Sequence, residues 1–237
     1  MNWVGENWGQ IATYGLAHVW LSVIPIVIGT VVAVPIGWVA NRRRLSRGVL
    51  LSITGVLYAI PSLPLFVVLP SLLGTKILSP VNVVVALTIY AVALMVRSAA
   101  DAFAAVDGGI TLSAVAVGYG GWRRFWGVEI PVAGPVLLAG IRVVAVSTVS
   151  LVTVGSLIGV NSFGYFFIDG YQRDFPTEIW VGIVGTVVIA LFLDQILVLL
   201  GWWLMPWARR SGNSGRLGGR WLRQRRDAAA TRAAVTP

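Results

Sequence analysis

Few residues in this chain have the chemistry of an active centre. Among 237 residues there is no cysteine, one histidine (His18) and one lysine (Lys76). Without cysteine there are no disulfides, thiolate nucleophiles or cysteine–zinc sites. A lone histidine at the start of an apolar run is expected at the membrane interface rather than as a ligand. Lys76 stands between Thr75 and Ile77, so the chain has no Gly-x4-Gly-Lys-Ser/Thr loop to cradle a nucleotide phosphate. No catalytic, cofactor-binding or metal-ligating set can be assembled. What the chain offers instead is polar groups set among apolar ones. Thr111-Leu-Ser-Ala-Val-Ala-Val-Gly-Tyr-Gly-Gly-Trp-Arg-Arg-Phe-Trp-Gly-Val-Glu-Ile-Pro-Val-Ala-Gly-Pro135 carries Arg123, Arg124 and Glu129, five glycines and two prolines. Tyr58-Ala-Ile-Pro-Ser-Leu-Pro64 interrupts an apolar run, and Asp194 lies inside another.

The elements that must hold these groups are membrane spans. The chain is 57% hydrophobic and 11% charged, with mean hydropathy +0.83. Soluble domains carry about 25% charged residues, so the class is all-α integral membrane. The net charge of +9 is explained by retained loops that collect arginine, not by nucleic acid. Five spans are expected, at about 18–40, 49–73, 81–96, 136–160 and 179–204. At 1.5 Å per residue the first is about 33 Å long, enough for a hydrocarbon core of about 30 Å. Residues 1–17, with Trp3, Trp8 and Tyr14, read as an interfacial segment, and 18–207 as the transmembrane domain. The first arginine is Arg42, so the positive start of a cleavable signal is missing. Residues 98–110 are expected to form a separate interfacial helix leading into the polar loop, which together span about 98–135. The Gly/Arg/Ala-rich residues 208–237 read as a basic, disordered tail that touches anionic lipid.

Within the polar loop, charge forbids a crossing, because an arginine at the bilayer centre costs about 2.5–3.5 kcal/mol. Leu112 to Val117 is expected as a short helix closed by Gly118, Gly120 and Gly121. In the second span, Pro61 and Pro64 remove two helical hydrogen bonds and force a bend. Backbone freed at that depth is tolerated only inside protein or along a cavity. Tyr58, Pro61, Ser62 and Pro64 therefore line a translocation pathway or form a structural kink. Asp194 is either a functional intramembrane charge or part of an ion pair near the interface. Gly155 and Gly159, four apart, are spaced for close helix approach.

Charge also sets the expected orientation. With the N-terminus outside and the C-terminus cytoplasmic, fifteen of the eighteen Lys and Arg fall on inner segments and two, Lys76 and Arg173, on outer ones. The positive-inside rule favours that arrangement. It places 111–135 in the cytoplasm and 161–178 outside.

These residues carry a resemblance. Ala114, Gly118, Ile130 and Pro131 fit the spacing of the EAA loop of importer-type ABC permeases, with Leu112 where that pattern has Glu. Tyr58-Ala-Ile-Pro-Ser-Leu-Pro-Leu65 resembles the Ile-Pro-Ser-Leu segment of permeases for glycine betaine, carnitine and choline. Ile130-Pro-Val-Ala-Gly-Pro-Val-Leu-Leu-Ala-Gly-Ile-Arg142 is similar to their Leu-Pro-x-Ala-x-Pro run, and Gly164-Tyr-Phe-Phe-Ile-Asp-Gly170, followed by Asp194, to their outer loop and last span. The resemblance implies a type I ABC importer permease fold in the cell (inner or plasma) membrane. It implies two permease subunits, identical or paralogous, an ABC ATPase subunit that binds the ATP, and an extracytoplasmic solute-binding protein. Ala114, Gly118, Tyr119, Gly120, Arg123, Arg124, Ile130 and Pro131 would couple to the ATPase. Tyr165, Asp169, Tyr171 and Arg173 would face the binding protein. The solute would be a quaternary-ammonium osmoprotectant or, in a near relative, an amino acid. An ion-driven secondary transporter would instead favour paired mid-membrane charges and an inverted repeat, which an odd number of spans does not supply. A membrane scaffold would leave the polar loop without a purpose.

Overall fold

The computed structural model describes residues 2–42 and 44–208, with backbone alone at 2 and 44–46. Arg43 and, beyond Ala208, the expected basic tail lie outside the described residues. All regular structure among the described residues is helical. The chain divides into two compact units after Leu197. In the second, the described residues are the last turns of a helix and a short turn, with Trp202, Trp203 and Trp207 exposed.

A short helix α1 (Asn2–Glu6) precedes α2 (Trp8–Ala40). α2 is one helix of 33 residues, about 50 Å long, and its start at Trp8 lies well before residue 18. Pro25 and Pro35 sit inside it without ending it. His18 is wholly buried, and its Nε2 lies 3.0 Å from the Val149 carbonyl oxygen. The interfacial placement expected for it is therefore corrected: it joins two spans.

The second span is broken into α3 (Arg44–Ala59) and α4 (Ser62–Leu73), bent by 96°. Only one proline makes the break. Pro61, at φ −61° and ψ 137°, is the extended residue before α4. Pro64 falls in the first turn of α4, where an N–H would have no helical partner in any case. The expectation that both prolines remove bonds is corrected to Pro61 alone.

α5 (Pro80–Ala104) runs unbroken past Arg97, so the third span is longer than 81–96 and no separate helix covers 98–110. The reason is packing. Ala99, Ala100 and Ala102 are buried, and a Cβ added at Gly37 would come within 3.0 Å of Ala99 and Ala100. Helix continuity follows that close contact, while Arg97 is left exposed and Asp101 pairs with Arg47 at 2.6 Å. After a turn, α6 (Gly108–Ala116) begins on Asp107, whose Oδ1 accepts from the Gly109 N–H at 2.6 Å.

The polar stretch is less of a loop than its composition suggests. From Gly121 the chain is helical again through α7 (Gly121–Arg124), one π turn (Phe125–Glu129), α8 (Ile130–Val152) and a 3-10 turn (Thr153–Ile158). The fourth span therefore starts at its charged end well before residue 136. α9 (Gly164–Gln172) and α10 (Pro176–Leu204) are the last helices among the described residues. Among the described residues four helices are long and apolar enough to cross a membrane, or five if the bent pair counts as one span.

Lipid tails are as apolar as leucine, so helices in a bilayer associate through close packing and polar contacts. The tightest seam is between α2 and α5. Gly29, Ala33 and Gly37, spaced by four, bring the two backbones together, and a Cβ at Gly29 would lie 2.5 Å from that of Ala91. The Gly155 and Gly159 pair does not make such a seam. Gly155 meets Val83, whereas Gly159 has φ +84° and ends the 3-10 turn. α8 approaches α5 where Gly140 faces Ser98 and Met95. α10 meets the bundle through the Phe163 ring, which faces Gly15 of α2 and Gly185 of α10.

Candidate functional site

α6 and α7 stand at one end of the spans, where α2 and α5 finish and α8 begins. Two devices shape this end. Asp107 starts α6. Gly118, at φ +90°, stops it, with its N–H on the Val115 carbonyl at 2.9 Å and the Tyr119 N–H on Ala114 at 3.0 Å. Such a turn is left-handed and suits glycine. α6 then buries only Ala114. Leu112 is 72% exposed and Val117 79%, with Ile110 and Val115 also exposed. Trp122 and Trp126 of the next segment add to this apolar face. Exposed apolar side chains gathered at one helix end make a candidate partner surface.

Behind the face lies a braced core. Glu129 is buried in the π turn. Its Oε1 accepts from Arg124 Nε at 2.5 Å and its Oε2 from Trp38 Nε1 of α2. The Trp38 ring lies 4.6 Å from Phe125 by centroid, and the Arg42 guanidinium sits 3.8 Å from the Trp38 ring centroid. Arg123 reaches the Tyr119 ring at 5.5 Å. Pro131 follows the π turn closely, and the Ile130 N–H reaches back to Phe125. A wider turn there accommodates the donor that proline lacks. A polar cavity of ≈ 480 Å³ opens beside this group, lined by Trp38, Asn41, Arg42, Thr111, Arg124 and Glu129.

The structure thus brings together Ala114, Gly118, Tyr119, Gly120, Arg123 and Arg124, with Ile130 and Pro131 opening α8 beyond the π turn. Sequence reasoning left out Glu129, Trp38 and Arg42. A carboxylate two residues before a proline and five after an arginine was one available signal. Its tryptophan partner lies 91 residues away, and nothing local announces it.

The candidate pathway residues cluster at the broken span. Tyr58 ends α3 half exposed, with its ring edge-on to Tyr90 at 6.0 Å. Tyr90, which sequence reasoning passed over, donates its hydroxyl to the Ile60 carbonyl. That bond occupies a carbonyl freed by the break. Pro61 and Ser62 begin α4 and Pro64 follows in its first turn.

At the opposite end, Arg173 Nη2 binds Asp169 Oδ2 at 2.9 Å and also binds the buried Glu178. The Glu178 bond, ahead of other causes, raises the proton affinity of the Arg173 guanidinium further. Tyr165 packs edge-on against Tyr14 at 5.1 Å, and burial, ahead of the Asp169 charge, pushes its phenol above the ordinary value. Tyr171 is 81% exposed.

Asp194 of α10 meets Arg142 of α8 as a two-toothed pair, Nε to Oδ1 at 2.6 Å and Nη2 to Oδ2 at 2.8 Å. Arg142 was the other charge within an expected span, and that alone pointed to it. Opposite charges inside a span are held by partners of this kind.

Known proteins resemble this chain in sequence and in fold. Residues 16–210 match the family described as binding-protein-dependent transport system inner membrane component. The chain is 28% identical over 199 residues to the glycine betaine/carnitine/choline transport system permease protein OpuCB of Bacillus subtilis (strain 168), covering 84% of this chain and 90% of that one. It is 27% identical over 195 residues to the osmoprotectant import permease protein OsmW of Salmonella typhimurium, covering 81% and 90%. Among solved structures, an inward-facing MetNI methionine ABC transporter chain superposes with TM-score 0.68 at 19% identity, over 82% of this chain and 97% of that one. An amino acid ABC transporter with histidines gives TM-score 0.68 at 17% identity, over 83% and 95%.

Proposed function

The chain belongs to the family of inner membrane components of binding-protein-dependent transport systems, and we propose that it is the permease subunit of an ABC importer for quaternary-ammonium osmoprotectants. It is a multi-pass membrane protein and a transport subunit rather than an enzyme. The names of its relatives support glycine betaine, choline or carnitine as the solute class.

The observation that carries the mechanism is α6, a helix that buries Ala114 and leaves its remaining apolar residues exposed at one end of the spans. In this proposal a separate ATPase subunit covers that face and binds the ATP. A second permease subunit, identical or paralogous, completes the pathway at the Tyr58–Pro61 break. A solute-binding protein docks at the opposite end, near Tyr165, Asp169, Tyr171 and Arg173. The arginine distribution supports a cytoplasmic α6 and an external N-terminus. ATP binding draws the ATPases together, and the displacement of α6–α7 rocks the spans between inward- and outward-facing states.

The test is isolation of the tagged chain with its companions and reconstitution in liposomes with ATP inside. ATP-dependent uptake of labelled glycine betaine or choline, not competed by methionine, is expected. Uphill uptake with no nucleotide-hydrolysing companion, or labelling of a cysteine at position 123 from outside the cell, would overturn the proposal.

A further inference from the structure

The apolar face of α6 says where force would enter, but not how it reaches the spans. Two routes leave α7. One runs along the chain into α8 and passes through the π turn Phe125–Glu129. A π turn carries an extra residue and is the irregular link in an otherwise continuous helix. The other route runs sideways to α2 at Trp38, which meets the Trp122 and Phe125 rings and donates a hydrogen bond to Glu129. Glu129 holds Arg124 of α7 with one oxygen and Trp38 of α2 with the other. A carboxylate buried to this degree is costly when it loses a partner, so both bonds tend to persist together. Trp38 is in turn fixed on its ring faces by Phe125 and Arg42. Beyond Trp38, α2 is joined to α5 by the Gly29–Ala33–Gly37 seam, where backbones nearly touch.

We propose that Glu129 is a positioning residue that ties α7 to α2 through Trp38, so that displacement of α6–α7 is delivered to the α2–α5 pair and not only along α8. This rests on the permease reading above. Arg124 sets the carboxylate and Trp38 receives the motion. Phe125 also packs on Phe103 of α5 at 5.9 Å, a contact without direction, whereas the Glu129–Trp38 bond is the hydrogen bond that links the π turn to α2.

The test uses the complete transporter with its ATPase and binding protein. Trp38→Phe keeps a ring of similar shape and removes the N–H donor. Glu129→Gln keeps an oxygen acceptor and removes the charge that holds Arg124. Uptake per ATP hydrolysed is expected to fall about three- to tenfold in each, with the ATPase still co-purifying. If both act through one bond, the double variant is no worse than the weaker single. A merely structural role would lower yield and leave that ratio unchanged. The second measurement uses the absence of native cysteine. Spin labels at Val39→Cys and Arg123→Cys report the α2–α7 distance with and without trapped nucleotide. That distance is expected to stay fixed when Trp38 is present and to become nucleotide-dependent in Trp38→Phe. An uptake-to-hydrolysis ratio within twofold of the parent in both variants, or a distance that shifts equally with and without the Trp38 donor, overturns the proposal. Loss of ATP-driven uptake in the unmodified chain overturns the permease reading and this link with it.

Discussion

Substituting alanine at Gly29 isolates the packing of the α2–α5 seam. An ideal Cβ there would stand 2.5 Å from the Ala91 Cβ, 3.2 Å from the Ala91 carbonyl carbon and 3.3 Å from the Val92 nitrogen. Carbon atoms in contact rest at about 3.5–4.0 Å, so the helices must part by about 1 Å. None of the obstructing atoms belongs to a flexible side chain. Overpacking of this kind costs about 1–3 kcal/mol. It is opposed by the helix propensity gained on replacing glycine, about 1 kcal/mol. Gly55→Ala in α3 supplies the control, because a Cβ there meets nothing within 4 Å and the propensity gain is the same. Gly29→Ala should therefore unfold about 2–12 °C below Gly55→Ala, at about 2–4 °C per kcal/mol. The assay is the fraction of detergent-purified chain that stays monodisperse after heating. A second variant sharpens it. Gly29→Ala with Ala91→Gly exchanges the two residues across the seam, leaves propensity unchanged in sum and removes the closest clash. It should recover most of the loss. Equal midpoints for Gly29→Ala and Gly55→Ala, or no recovery in the exchange, would refute the claim that backbone approach holds α2 to α5.

Asp194→Arg should sharply reduce the yield of inserted chain, because it places two cations side by side at the α8–α10 contact, and Arg142→Asp together with Asp194→Arg should restore it; quantitative membrane blots check both. Gly118→Val forces a β-branched residue into φ +90°, strained by about 1–2 kcal/mol. It should uncouple uptake from hydrolysis without preventing insertion, as read from the two rates in proteoliposomes. Pro61→Ala should alter the uptake KM and kcat strongly, because it permits α3 and α4 to join across their 96° bend. Pro64→Ala should leave both within twofold, since that residue lies where no helical donor is missing.

The sequence made much of the architecture legible. Long apolar runs announced the spans, proline marked the broken one, and glycine after a short apolar stretch marked the end of α6. The misreadings share one cause. Arg97 was taken as the end of a span and Arg123 and Arg124 as loop, because charge was equated with the end of a helix. Charge decides where the membrane ends, whereas hydrogen bonding and packing decide where the helix ends. α5 and the helix starting at Gly121 continue through those residues because alanine and aromatic contacts extend past the apolar region. His18 and Glu129 were misread or overlooked for a related reason. Each is satisfied by a partner far along the chain, Val149 and Trp38, and no local pattern encodes such a pairing. The Gly29–Ala33–Gly37 spacing was visible but was passed over for Gly155–Gly159, where a left-handed turn and not a helix contact explains the second glycine.

Three kinds of contact join these helices, and they differ in how they yield. The α2–α5 seam brings backbones together, so sliding by even part of a turn would drive Cβ atoms into main chain. That pair is expected to move as one body. α10 is attached differently, by the Phe163 ring against glycines and by the Arg142–Asp194 pair. Between α2 and α10 an apolar cavity of ≈ 890 Å³ remains, lined in part by Leu16, Val19, Val184 and Val188. A ring can tilt and a two-toothed ion pair can swivel on its long arginine without losing both bonds. Motion delivered to α2 would therefore carry α5 with it and shear against α10. In labelling experiments, the α2–α5 distance should be insensitive to nucleotide while the α2–α10 distance changes. The reverse pattern would show that the seam, not the ring and ion pair, is the part that gives.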